Sequence, residues 1–115
     1  MIAVIFEVRP ATGRSDDYLA IAAKMLPLAE KVEGFLSVER FQSLSDPGKI
    51  LSLSFFEDES AVQRWRMLHA HRAAQSRGRA EIFEDYRLRI AQVARDYGKF
   101  DRAQAPGDSR AVHDP

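Results

Sequence analysis

The segment of residues 2–8 is apolar on both faces of the strand that its composition predicts. Successive side chains of a strand point to opposite faces, so a strand of this kind must be covered on both sides. Arg9 and Pro10 follow this apolar segment and mark its end. We therefore expect a central strand, with apolar residues on both faces: Ile2, Val4 and Phe6 against Ala3 and Ile5.

Two later patterns predict helices. Ser15 and the two aspartates after it suit a helix start, because short polar side chains accept hydrogen bonds from free backbone N–H groups. The apolar face continues to about Val32, and within it Pro27 predicts a kink, while Gly34 predicts a C-cap. A second helix is expected to begin near Asp58 and, after a break, to extend to about residue 78.

The remaining apolar segments predict strands. Segments 35–42 and 49–56 flank an Asp-Pro-Gly turn at residues 46–48, which indicates a hairpin, and residues 86–93 alternate as a last strand. The resulting order, β-α-β-β-α-β, is typical of the ferredoxin-like α+β fold. We expect a four-stranded antiparallel sheet with two helices on one face.

The third predicted strand is also apolar on both faces, since Leu51, Leu53 and Phe55 alternate with Ile50 and Phe56 around two serines. A monomer would leave one apolar face of the sheet in water, and such faces are usually covered by another chain. The pattern predicts a homodimer that associates face to face.

The chain has 115 residues, which suits a single domain, predicted here over residues 1–97. Residues 98–115 are rich in Pro, Gly, Asp and Arg, and we expect a flexible C-terminal tail. The absence of cysteine fits a reducing compartment, and no apolar run is long enough to cross a bilayer. We expect a cytoplasmic protein that does not bind membranes.

The net charge and the sequence motifs argue against several classes of ligand. Seventeen basic and seventeen acidic residues cancel, so binding to nucleic acid is not expected. The six glycines are too scattered for a dinucleotide or phosphate loop, so no nucleotide cofactor is expected. His69 and His71 are two residues apart, which separates them by about 200° around a helix, so they do not form a metal pair.

The second helix contains the main candidates for catalysis. Trp65, His69 and Arg72 are spaced to share one helix face, and His71 lies on a neighbouring stripe. In the functional interpretation an aromatic wall stands beside a proton-transferring His and an anion-stabilising Arg. In the structural interpretation Trp65 is a core anchor, the His side chains are at the surface and Arg72 forms an ion pair.

Further candidates for substrate binding lie on the strands. Glu7 and Glu39 each interrupt a β-rich run, and either could be a carboxylate in a cavity with a raised pKa, although a salt bridge at an edge or interface is the preferred interpretation. With His69 and Tyr86, the first residue of the last predicted strand, they complete the candidate substrate-binding residues.

Several short motifs resemble the antibiotic biosynthesis monooxygenase family, and the resemblance covers about residues 1–97. The matching pieces are Glu33-Gly34-Phe35-Leu36-Ser37, Phe55-Phe56-Glu57-Asp58-Glu59-Ser60-Ala61-Val62, Trp65, His71-Arg72 and Gly78-Arg79. The resemblance implies a dimeric α/β barrel of ferredoxin-like subunits. It also implies one of two chemistries.

In the first chemistry, a cofactor-free oxygenase oxidises a small aromatic or quinol-type molecule with O2. The resemblance places Trp65 in the pocket wall, while His71 as base and Arg72 as anion stabiliser follow from residue type and position. In the second, heme-degrading relatives use a helix His as iron ligand beside a Trp and a first-strand Asn. This chain has no Asn, so heme is the alternative cofactor. A non-catalytic binding protein is the third alternative.

Overall fold

The computed structural model describes residues 1–75 and 82–114, with the side chains of residues 69–75 outside that description. The elements follow the predicted order, and a short helix is added at the C-terminal end. They are β1 (Ile2–Pro10), α1 (Ser15–Glu30), β2 (Phe35–Gln42), β3 (Ile50–Phe56), α2 (Glu59–Gln75), β4 (Phe83–Gln92) and α3 (Gly107–His113).

The four strands form one sheet in the order β2-β3-β1-β4, and all neighbouring pairs are antiparallel. The predicted ferredoxin-like α+β fold is therefore confirmed, as is the central position of β1. Strand β4 begins at Phe83, three residues before the predicted start, and its pairing with β1 shifts register at Pro10.

The two faces of the sheet differ as the alternation predicts. Ile2 pairs with Phe56 and Val8 pairs with Ile50, and these four buried residues lie on the face that carries the helices. The residues between them point to the opposite face, which we call the back face. It comprises Ala3, Ile5, Glu7, Ser37, Glu39, Phe41, Leu51, Leu53, Phe55, Arg87, Arg89 and Ala91.

The core beneath the helices consists of two separate clusters. One cluster joins Ile2 and Phe56 to the start of α2, with Trp65 packed against it. The other joins Val8 and Ile50 to Tyr18 of α1 and to Ile82. Between them the inward positions of β3 are Ser52 and Ser54, whose small side chains leave the core thin at this point.

Helix α1 begins at Ser15, as predicted, and ends at Glu30, two residues before the predicted end near Val32. It is continuous with Pro27 inside it, and the kink at Pro27 stays a prediction. Its N-cap position is Arg14, and no side chain caps it, so Ser15 lies within the first turn. Asp17 is one of the two aspartates expected to stabilise the helix start. Its carboxylate forms a salt bridge with Arg14.

Helix α2 does begin with a side-chain cap. The Ala61 backbone N–H donates to Oδ1 of Asp58 at 2.9 Å, which satisfies one of the free donors at the helix start. Ala61 and Val62 are buried in the first turn, and Trp65 follows one turn later. The cap and these contacts fix where Trp65 enters the core.

The hairpin between β2 and β3 closes as its turn residues predict. The Lys49 N–H donates to the Asp46 carbonyl at 2.9 Å, and the Asp46 N–H donates to the Ser43 hydroxyl at 3.1 Å. Arg9 of β1 forms a salt bridge with Asp46, which ties the turn to the central strand.

Gly34 has a role different from the predicted C-cap, because α1 ends four residues before it. Its φ is +90°, and a Cβ built on it would lie 2.7 Å from Cβ of Ala61. Its carbonyl accepts from the Glu57 N–H at 2.8 Å, and Arg64 donates to the neighbouring Glu33 carbonyl at 2.8 Å. The turn before β2 is therefore packed directly on the start of α2.

Replacing Gly34 with alanine is expected to lower the free energy of unfolding by about 2 kcal/mol or more, since backbone strain and overpacking add. Gly13→Ala separates the two effects, because Gly13 has φ +78° but no atom within 4 Å of the added Cβ. We expect Gly13→Ala to lower the free energy of unfolding only by the backbone strain, about 1–2 kcal/mol. Urea unfolding measures this change. Equal losses in the two variants would contradict the close packing on Ala61.

The C-terminal segment contains a helix that the sequence did not predict. Arg102 donates to the Gly98 carbonyl at 3.0 Å and pairs with Asp114 at 3.1 Å, and Arg110 donates to the Ala105 carbonyl at 2.9 Å. These contacts all lie within the segment itself. The expected flexibility of residues 98–115 as a unit stays a prediction, as does the domain boundary at residue 97.

Within the described ranges, none of the helices is both long and apolar enough to span a membrane.

Candidate functional site

A cleft of about 50 Å³ lies between the helices and the half of the sheet formed by β2 and β3. Three side chains of α1, six of the two strands and one of α2 line it. They are Met25, Leu26, Ala29, Phe35, Val38, Arg40, Ser52, Ser54, Phe56 and Trp65. The cleft is mostly apolar, with one cationic and two hydroxyl side chains.

The register of the hairpin explains the polar part of the cleft. Val38 pairs with Ser54 and Arg40 pairs with Ser52, so all four side chains point to the helix side. Ser52 and Ser54 occupy inward positions of β3 between the large residues Ile50 and Phe56. Because their side chains are small, space is left here for the cleft. The two serines therefore account both for the hydroxyl groups that line the cleft and for the free space inside it.

Trp65 lies where the sequence predicts a functional aromatic residue. It is half-buried, packs against the cluster of Ile2 and Phe56, and forms one wall of the cleft. Trp65 therefore packs on the core and also lines the cleft, and its role in catalysis stays a prediction. Trp65 is also the only tryptophan of the chain.

Arg40 is the charged residue in the lining of the cleft that sequence reasoning missed. Its Nε is buried and has no hydrogen-bond partner among the described residues. Its position in β2 could have identified it. Arg40 is two residues after Val38 and so points to the same face, while Glu39 and Phe41 point to the other face. A charged residue at an inward position of a strand is unusual unless something pairs with it.

Glu7 does not belong to the cleft, because it lies on the back face. Its carboxylate forms salt bridges with Lys49 at 3.1 Å and with Arg89 at 3.3 Å. The hydrogen bond from Lys49, helped by the charges of Lys49 and Arg89, lowers the pKa of Glu7. Glu7 thus shows the salt bridge that the sequence favoured, and the alternative of a raised pKa in a cavity is wrong.

Glu39 and Tyr86 also lie away from the cleft. Glu39 pairs with Leu53 on the back face and is exposed. Tyr86 lies on the edge strand β4, where its ring centroid is 5.7 Å from that of Phe6 and 6.1 Å from that of Phe83. The structure therefore brings neither residue to Trp65, and their predicted contact with substrate is not supported by position.

The predicted site residues His69, His71 and Arg72 belong to α2, but their side chains lie outside the described residues. Their proposed roles stay predictions. Among the residues that are described, there is no group of three or more His, Cys, Asp or Glu side chains that could hold a metal ion.

Comparison with known proteins identifies a family. The family model of antibiotic biosynthesis monooxygenase matches residues 1–77. A protein of Pyricularia oryzae named jasmonate monooxygenase ABM is 48% identical over 93 residues. The matched stretch covers 81% of this chain but only 43% of that relative, so the chain spans less than half of the relative's length.

Solved structures share the fold at low sequence identity. Rv0793 from Mycobacterium tuberculosis superposes with a TM-score of 0.72 at 15% identity, covering 84% of this chain and 98% of that one. A MhuD mutant with two manganese protoporphyrin IX molecules bound per active site superposes with a TM-score of 0.68 at 20% identity. The match covers 85% of this chain and 99% of that one.

The family match includes β1, α1, the hairpin and α2, which are the elements that build the cleft and carry Trp65. The similar structures share the ferredoxin-like arrangement of these elements. The chain belongs to the antibiotic biosynthesis monooxygenase family.

Proposed function

We propose that the chain is a cofactor-independent monooxygenase that oxidises an aromatic or quinol-type small molecule with O2 at the rim of the cleft. The observation that carries the proposal is the composition of the cleft, where Trp65, Phe35 and Phe56 line the same space as Arg40, whose Nε is buried. Family membership supports monooxygenation as the reaction class. The name of the Pyricularia relative supports a small organic substrate.

The chemistry needs a base and a cation in a water-poor site. Ground-state O2 is a triplet, so it reacts readily with a substrate anion that can donate one electron. A base creates that anion, and a neighbouring cation stabilises it. We propose His71 as the base and Arg72 as a stabilising cation on α2, with Trp65 as the wall against which the substrate ring lies.

The electron balance of such a reaction requires no external reductant. When an anthrone CH2 group becomes a carbonyl, one atom of O2 enters the substrate and the other leaves as water. The carbon loses two hydrogens and gives up four electrons, which is what the reduction of O2 consumes. The protein has only to generate the anion, hold it and exclude water.

Heme is the alternative cofactor, because a similar structure contains manganese protoporphyrin IX. The described lining side chains include no imidazole and no thiolate. The described lining therefore offers no ligand for a heme iron, and we derive no chemistry through heme.

Oxygen consumption with a panel of anthrones and hydroquinones tests the proposed function. We expect uptake by metal-free protein, and a fall of about tenfold in Trp65→Phe because the substrate loses its positioning wall. Tyr97→Phe is the matched control, since it changes an aromatic residue in the C-terminal part of the chain and should leave uptake unchanged. Uptake that is equal in all three proteins would contradict a site at Trp65.

Absence of uptake with every substrate of the panel would contradict the proposed reaction. A hemin titration then decides between the alternatives, because a Soret band that shifts on binding would favour heme, and an unchanged band would favour a non-catalytic binding protein.

We also propose that two chains associate through their back faces. Leu51, Leu53 and Phe55 of β3 are partly exposed there, and Phe41 of β2 is 43% exposed. The ionic cluster of Glu7 lies beside them. An apolar centre with a charged rim is the usual composition of a stable interface between proteins.

A further inference from the structure

We propose that the part of the cleft lined by Arg40, Ser52 and Ser54 is a carboxylate-binding site, in which Arg40 selects substrates that carry a carboxylate on an apolar body. The inference rests on the proposed function for the location of the substrate, but it does not depend on the reaction. It assigns Arg40 to ligand recognition instead of stability.

The first support is the unpaired state of the Arg40 Nε. Arg40 as a whole is half-buried, but its Nε is inaccessible to solvent, and buried polar atoms of proteins are almost always hydrogen-bonded. In the described part of the chain this Nε is buried without a partner. A ligand oxygen that accepts its N–H would complete the missing hydrogen bond.

The second support is the lack of a protein counter-charge in the cleft. The described side chains that line it from α1 are apolar, and those from β3 contribute only the hydroxyl groups of Ser52 and Ser54 as polar partners. No described lining residue is acidic. The guanidinium group of Arg40 and these two hydroxyls can all donate hydrogen bonds to an oxyanion.

The third support is the size and shape of the space. A cleft of about 50 Å³ holds a few water molecules or one group of carboxylate size, but not a ring system. The apolar body of the ligand would extend to the rim, where Leu26 is 37% exposed and Trp65 forms the wall. Carboxylate is preferred because it is fully ionised at neutral pH and can accept two donors of one guanidinium group.

Binding of cyclohexylacetate, with neutral cyclohexylacetamide as its isostere, tests the proposal without turnover. The fluorescence of Trp65 reports on the cleft, since it is the only tryptophan, and calorimetry gives an independent dissociation constant. We expect the carboxylate to bind at least about tenfold more tightly than the amide. Arg40→Met should remove that preference, and Arg40→Lys should retain part of it.

Arg66→Met is the matched control, because it removes the same charge from an exposed position next to Trp65 and should keep the preference. Thermal unfolding distinguishes recognition from stability. If Arg40 serves the ligand, Arg40→Met is as stable as the parent protein or more stable, because an unpaired buried donor is removed.

Three results would overturn the proposal: equal affinity for acid and amide, no binding of the acid at tens of millimolar, or a preference that survives in Arg40→Met. None of them bears on oxygen uptake. Conversely, a protein that binds the carboxylate through Arg40 but consumes no oxygen would contradict the proposed reaction alone.

Discussion

Replacing Phe56 with alanine is expected to lower the free energy of unfolding by about 3–5 kcal/mol. Phe56 is 0% exposed and packs against Ile2, Ala61 and Val62, with its ring centroid 5.7 Å from that of Phe35. Truncation leaves a cavity that cannot collapse, because β1, β3 and α2 all meet around this side chain. Domains are stable by about 5–15 kcal/mol, so the loss is a large part of the total.

Urea unfolding at one fixed protein concentration measures this effect, and the fixed concentration keeps the contribution of association comparable between the proteins. Phe100→Ala is the matched control, since Phe100 is 89% exposed and its loss should change stability by no more than about 0.5 kcal/mol. Trp65 emission should also shift to the red in Phe56→Ala, because Trp65 packs on the same cluster. A loss below about 1.5 kcal/mol would mean that the cluster around Phe56 is not tightly packed.

Replacing Leu53 with aspartate is expected to abolish the proposed dimer. Leu53 lies in the middle of β3 on the back face, paired with Ile5 of β1 and Glu39 of β2. A buried carboxylate without a partner in an apolar interface costs several kcal/mol, which raises the dimer dissociation constant by about 100-fold or more. Sedimentation velocity at micromolar concentration should show a dimer for the parent protein and a monomer for the variant.

Leu44→Asp is the matched control, because Leu44 is fully exposed in the hairpin turn and the chemical change is the same. This variant should remain dimeric. A parent protein that sediments as a monomer at micromolar concentration, or a Leu53→Asp protein that stays dimeric, would show that the back face is not the interface.

Much of the fold could be predicted because periodicity reflects burial directly. The alternation in β3 placed Ile50 and Phe56 on one face and Leu53 on the other, and the structure confirms that separation. The helix ends were predicted less well, because Ser15 begins α1 without capping it and Gly34 lies four residues beyond its end. A tertiary contact decided the role of Gly34, which is packed on Ala61.

The candidate site was predicted in part. Trp65 was identified from its place on an amphipathic helix, and the structure puts it in the wall of the cleft. Glu7, Glu39 and Tyr86 were chosen because they are polar or aromatic residues within strands, and that criterion does not say which face of the sheet they occupy. Arg40 met the same criterion and was overlooked, although it is the charged strand residue that lines the cleft.

Local periodicity and short motifs were enough to predict the order of the first six elements, the two-faced strands and the family. Which polar residues meet depends on how distant segments pack in the folded chain. Strand register places Arg40 opposite Ser52, and the packing of α1 and α2 over that pair encloses the cleft. Pairing between distant segments is not encoded in the residues around any one position, so the unpartnered Nε of Arg40 is revealed only by the folded chain.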